Sequence, residues 1–229
     1  MFYEVELLKA LMARAPKPLY TEWGGALEVY GEPIPGERTV GGCDTAEGFT
    51  EGEAEKKDRS AWTLRAYPSR RLLAKFEDRA VEPRALAGFL NTWGRKYGTA
   101  LWVVEKNAHG ITVLRHLRDD YQYPLHRIYH RTPQDADHKK PSADRIGWHT
   151  SAETKGVLLD AGRTLVNAAR DGMATVPTAS ALRDAFAVRR DDKGKISLNG
   201  RDVWMSEMLC EVGHGGFPPP VFIGGVKIG

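Results

Sequence analysis

Three acidic residues stand where apolar runs give out. Asp44 follows Thr-Val-Gly-Gly-Cys, Glu105 follows Ala-Leu-Trp-Val-Val, and Asp202 heads Val-Trp-Met-Ser-Glu-Met-Leu-Cys. A buried strand has no structural need for a charge at its end. Acids packed closely would repel and raise one another's pKa values, and a bound divalent cation removes the conflict. Carboxylate oxygens suit magnesium and manganese. Two such ions about 4 Å apart can activate a water on one side of a phosphodiester and stabilise the departing 3′ oxygen on the other. The expected chemistry is phosphoryl transfer, with Asp44, Glu105 and Asp202 as catalytic metal ligands and two Mg²⁺ or Mn²⁺ ions as cofactors.

The elements that must position these acids are legible from periodicity. Apolar positions over Glu4 to Ala13 predict a short helix, closed by Pro16 and Pro18. A Gly- and Pro-rich loop from Thr21 leads to a first strand, Thr39 to Asp44. Ser60 to Tyr67 and Arg71 to Asp78, separated by Pro68-Ser69, complete an antiparallel meander. Leu86, Phe89, Leu90, Trp93 and Tyr97 then recur at helical spacing after Pro83, and Gly98 closes that helix. Ala100 to Val104 reads as a strand buried on both faces. Helices are expected at His109 to Leu117, Ala152 to Ala169, Thr178 to Val188 and Asp202 to Val212, with a further strand at Tyr123 to His130. The order predicts an α/β domain over residues 1–212, with a five-stranded mixed sheet, antiparallel meander plus parallel strands, and helices on both faces. That is the element order of the ribonuclease H-like fold. Its first and fourth strands are neighbours, which brings Asp44 and Glu105 side by side. Residues 213–229 read as a flexible Gly/Pro-rich tail.

Composition excludes several classes. The 229 residues include 33 Lys+Arg and 30 Asp+Glu, a net charge of +3, so an anionic partner must be met by a local patch. Cys43 and Cys210 are the two cysteines and form no CxxC pair, which argues against a cysteine-rich zinc site or a disulfide scaffold and favours a reducing compartment. No apolar run approaches the roughly 20 residues that span a bilayer, so no membrane association is expected.

Several stretches together resemble the C-terminal nuclease domain of the bacteriophage large terminase subunit, the DNA-packaging motor of tailed phages. They are Gly42-Cys43-Asp44-Thr45-Ala46-Glu47-Gly48, Lys57-Asp58-Arg59-Ser60-Ala61, Val104-Glu105-Lys106-Asn107-Ala108-His109-Gly110, Gly147-Trp148-His149-Thr150 with Thr154-Lys155, and Asn199-Gly200-Arg201-Asp202-Val203-Trp204-Met205. The similarity runs from about Tyr20 to Leu209. It implies a metal-dependent endonuclease that cuts double-stranded DNA with little sequence preference, in the cytoplasm of an infected bacterial host. It also implies partnership with an ATPase domain and a portal or small terminase subunit. Asp44, Glu105 and Asp202 carry over as metal ligands, and Asp58 as an additional ligand or an acid supporting the ligands. The family usually shows two adjacent acids after the glycine of the last motif, and here Arg201 takes one of those places. Glu207 does not replace it, because five residues along a helix is about 140° of rotation.

The full packaging subunit also needs a Gly-rich loop ending in Gly-Lys-Ser/Thr for ATP, and the sequence carries no such motif. For DNA contact, Lys106 and Lys155 are candidates if they flank the acids, Arg201 adjoins Asp202, and the segment His126 to Arg145 offers Arg127, Arg131, Lys139 and Lys140 to a phosphate backbone. Two alternatives share the fold: a catalytically weak DNA-binding or motor-docking module, suggested by Arg201, and a Holliday-junction resolvase-like nuclease.

Overall fold

The structure is a computed structural model and describes residues 2–46, 59–106, 109–130, 146–190, 192, 194, 196–216, 221–223 and 226–228. Its strands are β1 (Tyr20–Glu22), β2 (Leu27–Val29), β3 (Arg38–Asp44), β4 (Ser60–Tyr67), β5 (Leu72–Asp78) and β6 (Leu101–Val104). They form one mixed sheet of six strands in the order β1-β2-β5-β4-β3-β6. β3, β4 and β5 are the expected antiparallel meander, and β6 runs parallel to β3 with Val40 opposite Leu101 and Cys43 opposite Val104.

The sheet has six strands where five were expected. Within the Gly/Pro-rich stretch after Thr21, a tight turn at Trp23–Gly25, with Gly24 and Gly25 at φ +63° and +94°, folds β1 back on β2. Leu27 and Val29 are buried, but three-residue strands are too short to declare themselves by alternation. The strand expected over Tyr123 to His130 is not formed. Pro124 starts a 3₁₀ turn at Leu125–Arg127, and beyond it Ile128 makes a single parallel bridge to Trp102 and His130 a single antiparallel bridge to Ile146.

One face of the sheet is covered by α2 (Pro83–Lys96) and α3 (Gly110–Arg115), the latter continued by a π-helical turn at His116–Asp120. Pro83 suits the first helical turn of α2, and Leu86, Leu90 and Trp93 pack with Trp62, Phe76 and Trp102. The opposite face carries α1 (Val5–Met12), α4 (Ala152–Arg170), α5 (Ala179–Ala187) and α6 (Asp202–Gly216). α6 is the core helix of this side, since every residue from Asp202 to Glu211 is buried. Its polar members are all engaged: Ser206 with Thr63 at 2.9 Å, Glu207 with Arg65 at 2.8 Å, and Glu211 with Arg70 at 2.7 Å.

Two glycines set how closely α6 approaches. A Cβ at Gly42 of β3 would lie 2.0 Å from the Ser206 carbonyl oxygen, and one at Gly213 would lie 2.5 Å and 2.7 Å from side-chain carbons of Val103 and Val40. This contact explains why the helix does not stop at residue 212, where the glycines were expected to end it. Gly213 is where helix and sheet touch, and α6 runs on to Gly216. Two small antiparallel ladders complete the described chain: β7 (Arg189–Arg190) with β8 (Ile196–Ser197), and β9 (Val221–Ile223) with β10 (Val226–Ile228). Among the described residues no helix is long and apolar enough to cross a membrane.

Candidate metal centre

Asp44 ends β3, and Glu105 is the residue after β6. The Glu105 N–H donates to the Cys43 carbonyl at 2.9 Å, so the two acids occupy the next register position beyond Cys43 and Val104. Side chains alternate along a strand. Val40 and Gly42 of β3, and Val103 of β6, face α6. The same alternation turns Asp44 and Glu105 to the α6 side.

Glu105 is buried, with 7% of its surface exposed. The Thr150 hydroxyl donates to its Oε1 at 2.6 Å. Thr150 is held in turn by its neighbours on both sides. The Trp148 N–H donates to the Val104 carbonyl at 2.8 Å, and the Lys106 N–H to the Trp148 carbonyl at 2.6 Å. Ser151 then caps α4 in a reciprocal capping box with Thr154, whose hydroxyl also bonds the His149 carbonyl at 2.7 Å. The Gly-Trp-His-Thr stretch is thus a clasp on the Glu105 strand.

Asp202 opens α6 and is 5% exposed. Its Oδ2 accepts from the Arg59 backbone N–H at 2.7 Å, and Arg59 Nε lies 3.6 Å away. Arg59 immediately precedes β4, in which Ala61 pairs with Asp44, so Asp202 meets the same end of the sheet as the other two acids. The Arg59 guanidinium reaches Glu77 at 2.6 Å and both Asp184 oxygens at 3.0 and 3.1 Å. Asp184, on α5, also accepts from the Val203 N–H at 3.1 Å, satisfying a donor of the first turn of α6 that has no partner within the helix. Burial pushes the Asp184 carboxyl above its ordinary value, against the pull of Arg59 and of the α6 N–H groups. Burial also works against the Arg59 charge, but Asp184, Glu77 and Asp202 outweigh it and hold the guanidinium protonated.

Asp44 and Glu105 are therefore brought together, and Asp202 comes to the same sheet end already engaged by Arg59. Among the described residues no three His, Cys, Asp or Glu side chains are gathered so as to hold an ion between them. The donor set nevertheless suits a hard cation: it consists of carboxylates, two of them buried and one oriented by a hydroxyl. Asp58 lies outside the described residues, as do Arg131, Lys139 and Lys140. Lys106 directly follows Glu105. Lys155, in the first turn of α4, donates to the Ile196 carbonyl at 3.3 Å. Arg201 bonds the Gly200 carbonyl at 2.9 Å, while its buried Nε meets no protein acceptor. Arg127 is half-buried in the 3₁₀ turn.

Sequence reasoning missed Arg59, Asp184 and Glu77 as a linked group. Arg59 lies inside a motif quoted above, but its partners are remote in sequence and nothing local marks them. It placed Thr150 in a motif without assigning the bond to Glu105.

No protein-family model matches the sequence, and no curated protein matches it. Solved structures do. The large terminase nuclease from thermophilic phage G20c with bound magnesium superposes with a TM-score of 0.60 at 16% identity, over 90% of this chain and 96% of that one. The large terminase nuclease domain of Thermus phage P74-26 gives 0.60 at 16% identity, over 94% and 99%. The human cytomegalovirus terminase nuclease domain, manganese-soaked and inhibitor-bound, gives 0.50 at 12% identity, over 92% and 94%. The chain thus has the ribonuclease H-like fold of these nuclease domains.

Proposed function

We propose that this chain is a divalent-metal-dependent endonuclease that cuts double-stranded DNA, with little sequence preference, within a viral genome-packaging motor. One observation carries the reading: Asp44 and Glu105 share a register position on the sheet face beneath the helix that Asp202 opens. The likeness to terminase nucleases, one with bound magnesium and one manganese-soaked, supports it. Asp44, Glu105 and Asp202, with Asp58 as a further ligand, would hold two Mg²⁺ or Mn²⁺ ions, which supply an activated water and stabilise the departing 3′ oxygen.

The chain's own residues do the rest. Thr150 fixes the rotamer of Glu105, and the Arg59 N–H fixes Asp202. Lys106, Lys155, Arg201 and Arg127, together with Arg131, Lys139 and Lys140, are assigned to the phosphate backbone. Binding should then weaken steeply with salt. The natural partners are double-stranded DNA, an ATPase domain and a portal or small terminase subunit, in the cytoplasm of an infected bacterium.

Incubation with plasmid and Mg²⁺ or Mn²⁺ tests the reading. Cleavage should vanish in EDTA and in Asp44→Ala and Glu105→Ala; undiminished cutting by both variants would refute the site. A second reading, a DNA-binding or motor-docking module without cutting, is favoured by Arg201 beside Asp202 and by the Arg59 contact. It expects salt-sensitive DNA binding with no product.

A further inference from the structure

We infer that Arg59 is a resident counter-cation that a divalent ion must displace from Asp202, which makes Asp202 the low-affinity half of the centre. The inference rests on the metal-centre reading above and concerns how that centre fills.

Arg59 faces three carboxylates, Glu77, Asp184 and Asp202, at 2.6, 3.0 and 3.6 Å. Asp184 and Asp202 are largely withdrawn from water, at 9% and 5% exposed. Without a cation among them they would repel, and desolvation would penalise each charge. The guanidinium removes that conflict in the chain itself. Its contacts are unequal in a useful way. Glu77 and Asp184 hold it by close, charge-assisted hydrogen bonds, while its nearest approach to Asp202 is Nε at the longest of the three distances. Arg59 can therefore yield Asp202 and keep its other partners. Lys75 steadies the far side, with Nζ 2.7 Å from Glu77.

An ion arriving at Asp202 meets a fixed positive charge already there, whereas Asp44 lies one strand and Glu105 two strands away from β4, which Arg59 precedes, in the sheet order β4-β3-β6. Coulomb repulsion in a partly buried site is large enough to set an order of filling. Ions are expected to occupy the Asp44–Glu105 side first and to engage Asp202 second.

The test is Mn²⁺ binding to the full chain without DNA, followed by the electron paramagnetic resonance signal of free Mn²⁺. Wild type should show a tight and a weak class. Asp44→Asn and Glu105→Gln should abolish the tight class, and Asp202→Asn the weak class alone. Arg59→Gln should strengthen the weak class by about tenfold or more, and Arg59→Lys, which keeps the charge, should resemble wild type. Glu77→Gln removes a competing anchor, tightens Arg59 on Asp202 and should weaken that class severalfold; it carries the test if melting shows Arg59→Gln to be unfolded. Wild-type binding in a folded Arg59→Gln, or in Glu77→Gln, overturns the inference, as does loss of the tight class in Asp202→Asn. Unaltered binding in Asp44→Asn and Glu105→Gln would instead sink the metal-centre reading itself.

Discussion

Arg65 of β4 and Glu207 of α6 meet in a two-bond pair, Nε to Oε2 at 2.8 Å and the terminal nitrogen to Oε1 at 3.0 Å, with side chains 1% and 0% exposed. Arg65 also donates to the carbonyls of Arg70 and Thr175, so its donors are well used. Glu207 thus serves the helix–sheet joint on the same sheet face as the candidate ligands, farther along the strands, where Arg65 lies opposite Val40 and not opposite Asp44.

Removing one member of such a pair leaves the other charged and dry. Glu207→Gln is expected to cost roughly 3–5 kcal/mol in urea unfolding. The double replacement Arg65→Met/Glu207→Leu should recover most of that loss. Equal losses in the single and the double variant would show that the pair itself, and not the stranded charge, supplies the stability.

Gly42→Ala drives a methyl group into the α6 backbone and is expected to cost about 1–3 kcal/mol or more. Gly156 makes a contrast, since it lies on the exposed side of α4 with nothing within 4 Å of its Cβ position. Gly156→Ala should gain about 0.5–1 kcal/mol. Thermal melts of the two variants should move in opposite directions, and a shift in the same direction would contradict the close approach at Gly42.

Thr150→Val removes the hydroxyl that orients Glu105. Mn²⁺ affinity is expected to fall about 10–100-fold with little change in melting temperature, and Thr150→Ser should restore it. Unchanged affinity in Thr150→Val would dissociate this hydrogen bond from metal binding.

Burial holds the His214 imidazole below its usual value of 6.5; Arg70 pushes the same way, Glu211 and the Pro68 carbonyl push back, and Arg65 adds to the lowering. The unfolded chain therefore takes up this proton first as pH falls. Stability from this group should be fully present above about pH 6.5 and decline below it, toward the depressed folded value. His214→Gln should flatten part of that slope in urea unfolding followed across the range. An unaltered slope would assign the decline to other groups.

The strands leading to Asp44 and Glu105 were legible because each is a local event: an apolar run stops, and a carboxylate comes next. β4 was found at its observed bounds, Ser60–Tyr67, because Pro68-Ser69 marks its end. The hairpin of β1 and β2 was not, since its short strands are defined by pairing, β1 with β2 and β2 with β5, rather than by a pattern of their own. Tyr123 to His130 carries strand-forming residues, but Pro124 sets a turn and the backbone bridges only at isolated points. The glycines at the end of α6 read as breakers because their partners, Val40 and Val103, lie far away in the chain. Arg59 was opaque for a related cause, for a guanidinium declares its role only through the carboxylates that surround it.

Glu207 and Glu211 sit one helical turn apart on α6, and Arg65 and Arg70 receive them in the same order. Spaced this way, the two pairs act as a vernier on the helix. A fractional slide breaks both, and a slip of one full turn, about 5.4 Å, strands one arginine. Because Asp202 heads the same rod, the depth at which that acid sits is gauged from points farther along it, and substitutions near the far pairs should reset it without touching it.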